Sequence, residues 1–125
     1  MTDYSDSLFL GLKTPSFLEK PLRDARAMIA GGWSEPHSTN TQGEYCSPYD
    51  EGVAKFCVQD AIALAAVSIA DHQMAEMWLA KVAGFGPLGM HPLQQWLEHP
   101  QRKLTEVVAL FDKATLAAKA IRGAA

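Results

Sequence analysis

The run AIALAAVSIA, Ala61 to Ala70, constrains this chain more than any other stretch. Ten residues without a charge are too few to cross a membrane, which takes roughly 20 apolar residues. They lack the alternation of a half-buried strand. A helix that is apolar on every side has to be central, with neighbours packed on most of its faces, and its many alanines allow close approach. The expectation is a helix running through VAKFCVQDAIALAAVSIA, begun near Asp50 and Glu51. Acidic residues there suit free amides and the positive end of the helix dipole. Val53, Phe56, Cys57, Ala61 and Leu64 form its stripe.

The rest of the chain is helical in pattern. Thr14-Pro15 signals a helix start, and the helix runs to about Ala30 with Leu22, Ala25, Met28 and Ile29 on one face. Pro21 is awkward inside it and fits a true start there after a short turn. Gly31-Gly32 ends it, and Trp33 follows. Asp71-His72 breaks the apolar run or begins a new helix, in which Met74, Met77, Trp78 and Val82 face the core. GFGPLG at 84–89 is a strong break. His91-Pro92 opens a short helix, PLQQWLEH, that ends before Pro100. Thr105 reads as the N-cap of the last helix, where Val107, Val108, Phe111, Ala114, Ala118 and Ile121 share a face before Gly123. No stretch reads as a convincing strand. The expected fold is therefore all-α: four main helices, one short helix, and a long ordered loop between the first and second helices.

A length of 125 residues fits one domain, here residues 15–123, preceded by an arm at 1–14. Leu8, Phe9, Leu10 and Leu12 in that arm are costly to leave in water, so the arm is expected to dock on the body. Asp3 and Asp6 stand where a secretion signal needs positive charge, which makes the cytoplasm the default compartment. At 48% hydrophobic and 20% charged, the chain is composed as a globular protein.

The charge is unevenly spread. Residues 31–80 carry seven acidic residues against Lys55 alone, while five basic residues face two acidic ones from Gln101 onward. An acidic middle repels nucleic acid and attracts a basic partner, or it is simply a solvated face. Residues 34–49, SEPHSTNTQGEYCSPY, form one long aperiodic loop, and ordered loops of that length commonly carry function.

Several motifs follow in order: GGW at 31–33, Gly43, FCVQDA at 56–61, WLEH at 96–99 and LTEVVALFDKA at 104–114. Their order and spacing over residues 22–120 resemble a family of small bacterial and phage proteins classed as a domain of unknown function. That family has the pattern F-C-x-x-G-A, and its glycine is Asp60 here. The resemblance implies an α-helical domain and no activity.

The two cysteines, Cys46 and Cys57, admit several readings. A disulfide would be unusual in a reducing compartment. A zinc site drawing on His37, Cys46, Cys57 and His72 has no recognised spacing. A catalytic thiol at Cys57 would have Asp60 one turn away, and a carboxylate there raises the thiol pKa instead of lowering it. The plain reading is a small core residue at Cys57 and a loop residue at Cys46. Asp60 itself falls on or beside a buried stripe. The expectation is that it accepts hydrogen bonds from loop amides or an indole N–H, clamping the loop to the body. Trp33, Trp78 and Trp96 read as core or half-buried anchors. His37, His91 and His99 read as surface residues.

No phosphate-binding loop, dinucleotide fingerprint, zinc-protease motif or nucleophile elbow is found, and no cofactor motif. No basic stripe with interleaved aromatics points to direct nucleic-acid contact. Two functional expectations remain beside a structural homo-oligomer. The first is a non-enzymatic binding protein, an inhibitor of a host defence or nucleic-acid-handling complex being its natural version. In it Glu44, Asp50, Glu51, Asp71 and Glu76 oppose a basic protein partner. The second is a ligand-binding or enzymatic domain whose pocket, between the central helix and the 34–49 loop, is lined by Trp33, Tyr45, Cys57 and Asp60.

Overall fold

The computed structural model describes residues 15–85 and 90–124. The arm at 1–14 and the GPLG of the 84–89 break lie outside them. A short 3-10 turn, Pro15–Leu18, leads into α1, Glu19–Gly31. A two-stranded sheet follows, β1 (Thr39–Asn40) and β2 (Val53–Lys55). Then come α2 (Val58–Ala65), α3 (Ile69–Val82), α4 (Met90–Leu97) and α5 (Leu104–Ala124). The fold is mainly helical. α1 lies against both α2 and α5, and α3 packs on α2, α4 and α5.

α1 begins before Pro21, not at it. The ring sits at the third helical position, where no intrahelical N–H is yet needed, so the proline costs little. Leu22, Ala25 and Ile29 are buried on its inner face, as their spacing predicts. Trp78 is fully buried on α3, and its indole Nε1 donates to the Ala114 carbonyl of α5 at 3.0 Å. That bond satisfies the ring's one polar atom and fixes the two helices in register. Val107, Phe111, Ala114 and Ala118 face the same core, with Leu110 beside them. The side chain of Ile121 is outside the described set.

The apolar run does not form one central helix. Residues 53–55 are strand, α2 occupies only eight residues, and the chain goes extended at Ala66. Ser68 then caps α3, its Oγ accepting from the Asp71 amide at 3.1 Å. The serine inside AIALAAVSIA is therefore a helix start, and Ser-x-x-Asp is an acidic variant of the capping box. Val67 and Ile69 flank this break and are 89% and 77% exposed, so the run is not buried throughout.

Two further expectations are corrected. Asp50 starts no helix: its Oδ1 accepts from the Gly52 amide at 2.8 Å, and the turn it makes feeds β2. Short polar side chains bond neighbouring backbone in this way, in competition with helix formation. Thr105 is not the cap of α5 and is exposed. Glu106 reaches back instead, accepting from the Lys103 amide at 2.8 Å.

The strands were not expected, and two factors make them. Val53 is β-branched, and the turns on either side return the chain to pair Thr39 with Lys55 and Asn40 with Val53. Beside them, Trp33 bridges Phe56 in parallel, with Ser34 N to Phe56 O at 3.1 Å and Phe56 N to Gly32 O at 2.9 Å. This approach is so close that a Cβ on Gly32 would lie 2.5 Å from the Ala54 carbonyl oxygen. Only glycine fits there.

Candidate functional site

The segment between α1 and α2 is ordered by two clamps at its base. The first is Glu35. Its Oε2 accepts from the Trp33 indole Nε1 at 2.9 Å and from the Val58 amide at 2.9 Å, and its Oε1 accepts from Gln94 Nε2 of α4 at 3.0 Å. Val58 is the first residue of α2, so a loop carboxylate meets one of the unpaired amides at the positive end of that helix. Burial raises the Glu35 carboxyl above the usual glutamate range, and the bonds from Val58, Gln94 and Trp33 pull it partly back.

The second clamp is Ser38, which is fully buried. Its hydroxyl donates to Asp60 Oδ2 at 2.7 Å and accepts from the Cys57 amide at 3.2 Å. Cys57 is the N-cap of α2, with Sγ taking a long bond from the Asp60 amide at 3.4 Å. Asp60 does join the loop to the body, but through a hydroxyl. No loop amide or indole among the described residues binds it, and the Trp33 indole goes to Glu35 instead. Removing the carboxylate, as in Asp60→Ala, leaves the buried Ser38 hydroxyl without its acceptor. The expected loss is about 1–2 kcal/mol, with faster amide exchange at Cys57. Unchanged melting and unchanged exchange would dismiss the clamp.

Above this base the chain makes three turns. Asn40 Oδ1 accepts from the amides of Gln42 (3.0 Å) and Glu44 (2.9 Å), and Gly43 takes the positive φ of 78° that the hairpin bulge requires. Ser47 Oγ accepts from the Tyr49 amide at 3.2 Å, and the Asp50 turn follows. The outcome is a surface on which Tyr45 and Tyr49 are 72% and 77% exposed, beside exposed Glu44, Asp50 and Glu51. Tyr45 is braced on one side by the His37 ring, perpendicular to it and 4.9 Å away between centroids.

The five acidic residues expected on one surface divide. Glu44, Asp50 and Glu51 belong to the loop. Asp71 is only 5% exposed, in the first turn of α3, and the Glu76 side chain is 12% exposed. Both are largely withdrawn from solvent, so neither stands with the exposed loop acids. The Glu76 carboxylate instead sits against His72 Nε2, one turn back.

Of the four residues of the expected pocket, only Cys57 and Asp60 come together, both at Ser38. Trp33 is tied to Glu35, Tyr45 stands out in solvent, Cys57 caps α2 and Asp60 holds Ser38. Three surface hollows elsewhere on the molecule contain none of the four. Cys46 and Cys57 are free thiols. Burial, with Asp60 and Glu35 adding repulsion, pushes the Cys57 thiol up to about 11, so it stays protonated at neutral pH. Cys46 is raised as well, by desolvation and by Asp50 and Asp60. Among the described residues, no group of three or more His, Cys, Asp or Glu side chains is placed to hold a metal ion. No helix among them is long and apolar enough to cross a membrane.

Glu35, Ser38 and Gln94 were not singled out from the sequence. The available signal was Trp33-x-Glu35. In extended chain, residues two apart point the same way, which places an acceptor beside an indole N–H. Gln94 carried no signal, because its contact with Glu35 spans 59 residues.

Neither a curated protein nor a solved structure matches this chain. A family profile does, over residues 18–117, from the 3-10 turn through most of α5. With four-fifths of its length matched, the chain belongs to the family of unknown function DUF6197.

Proposed function

We propose that this chain is a non-enzymatic binding protein that engages a protein partner with a basic surface, through the tip of the 34–57 segment. The observation that carries the reading is the pairing of two exposed tyrosines, Tyr45 and Tyr49, with exposed Glu44, Asp50 and Glu51 on a segment whose base is clamped. Tyrosines supply large contact area at small entropic cost and are frequent binding hot spots. The carboxylates add steering toward lysine and arginine. Ordering the tip beforehand lowers the entropy lost on association. A narrower form of the reading is a phage-type inhibitor that covers the basic surface of a host defence or nucleic-acid-handling complex. The pocket reading has less support, since Tyr45 stands in solvent and Trp33 is tied to Glu35, away from the Cys57–Asp60 pair.

The test is affinity capture of the partner, followed by titration with two variants. One reverses Glu44 and Glu51 to lysine and changes Asp50 to asparagine, which removes the charge but keeps the Oδ1 that accepts from the Gly52 amide, and the other converts Tyr45 and Tyr49 to serine. Each is expected to weaken binding about tenfold or more, with melting almost unchanged because all five side chains are exposed. A partner that binds both variants as tightly as the parent chain refutes the proposal.

A further inference from the structure

A different part of the molecule carries an apolar groove of about 280 Å³, lined by Phe17, Ala70, Met74 and Met77, with Ser68, Asp71 and Gln73 completing it. It lies where the 3-10 turn packs against the first half of α3. Val67 and Ile69, next to lining residues Ser68 and Ala70 in the chain, are themselves exposed. A face of this kind, with two methionines that adapt to an irregular occupant, is a docking surface.

We propose that the occupant is the chain's own leading segment, residues 8–12. Leu8, Phe9, Leu10 and Leu12 are four large apolar side chains in five residues. The described chain begins at Pro15, and Phe17, two residues on, is itself a wall of the groove. The segment is therefore delivered to the groove by its own connection, at a high effective concentration. The lengths agree. Five extended residues span about 16 Å, and the stretch of α3 from Ser68 to Met77 rises about 14 Å. The inference uses none of the residues of the loop tip and stands or falls apart from the proposed binding function.

The experiment uses the full chain carrying the substitution Leu10→p-benzoylphenylalanine, since Leu8, Leu10 and Leu12 share one face of an extended segment. On irradiation, the benzophenone is expected to attach within the same chain to Met74 or Met77, as read by peptide mass spectrometry. Attachment elsewhere in the chain, no attachment, or a band of doubled mass from two linked copies overturns the proposal. A second measurement guards against a perturbing label. In the double variant Leu8→Asp/Leu10→Asp, peroxide oxidation of Met74 and Met77 is expected to rise about threefold or more, while that of Met28, on α1, stays constant and reports an intact body. Oxidation rates at Met74 and Met77 equal to those of the parent chain overturn it as well.

Discussion

Glu35→Ala is expected to lower stability by about 2 kcal/mol. One carboxylate accepts from the Trp33 indole, the Val58 amide and the Gln94 amide, and so joins the loop to α2 and α4 at once. The three donors do not lose equally. The indole of half-buried Trp33 can turn to water. Val58 is 3% exposed, so its amide cannot, and it is left unpaired at the start of a helix. An unpaired buried donor costs about 1–3 kcal/mol. Against this, alanine removes a partly desolvated charge, whose burial already raises its pKa, and that returns part of the loss. A net figure near 2 kcal/mol corresponds to a fall in melting temperature of roughly 7 °C for a chain of this size. Denaturant titration checks the energy, and amide exchange at Val58 checks the mechanism. A loss below about 1 kcal/mol, with Val58 still protected, would mean that Glu35 is not the hub of the loop base.

How much of this was legible depends on the range of the interaction. The faces of α1 and α5 follow from helical spacing, and Leu22, Ala25, Ile29, Val107, Phe111 and Ala114 are buried as the period requires. The short α4 follows from its flanking breaks. What misled was composition without local chemistry. The apolar stretch 53–70 reads as one helix if only hydrophobicity is counted. Ser68 and Asp71 reveal the second helix start once hydrogen-bonding side chains are considered. The turn at Asp50 is the same kind of error, since an acidic residue before an apolar run suits an Asx turn as well as a helix start.

The candidate site was legible only in outline. The loop as a surface, Asp60 as a tether and Glu44, Asp50 and Glu51 as exposed acids could all be read from position and type. The division of the clamp could not. Ser38 meets Asp60 across 22 residues and Gln94 meets Glu35 across 59, and no local pattern encodes such pairings. The acidic count from 31 to 80 also overstated the surface, because Asp71 and Glu76 are largely withdrawn from solvent. Charge density along a chain becomes charge density on a face only after the helix phase is known.

The withdrawal of Glu76 from solvent has a consequence in pH. Its side chain is 12% exposed and meets His72 Nε2, yet that nitrogen is buried and makes no hydrogen bond among the described residues. The contact is close but poorly aimed, so it compensates little for the lost hydration of either group. Burial accordingly pushes the Glu76 carboxyl up from 4.5 to about 7. It also lowers the His72 imidazole below its ordinary value, with Asp60 opposing that shift from α2. A carboxyl whose folded pKa is raised holds its proton more tightly when folded. Its contribution to stability is full below about 4.5 and is lost as pH rises through about 7. At 1.36 kcal/mol per unit, the loss across that window is about 3 kcal/mol, and about 2 if solvent and His72 relieve part of it. Glu76→Gln cannot ionise and escapes this loss. Measured against the parent chain, the glutamine variant is therefore expected to gain about 2–3 kcal/mol between pH 5 and pH 8. His72 contributes in the opposite direction below 6.5 and touches residue 76, so the same comparison in a His72→Gln background isolates Glu76. Denaturant midpoints at several pH values give the difference directly. A difference that does not change with pH would mean that Glu76 is ionised at all of them, and that α3 presents it to solvent after all.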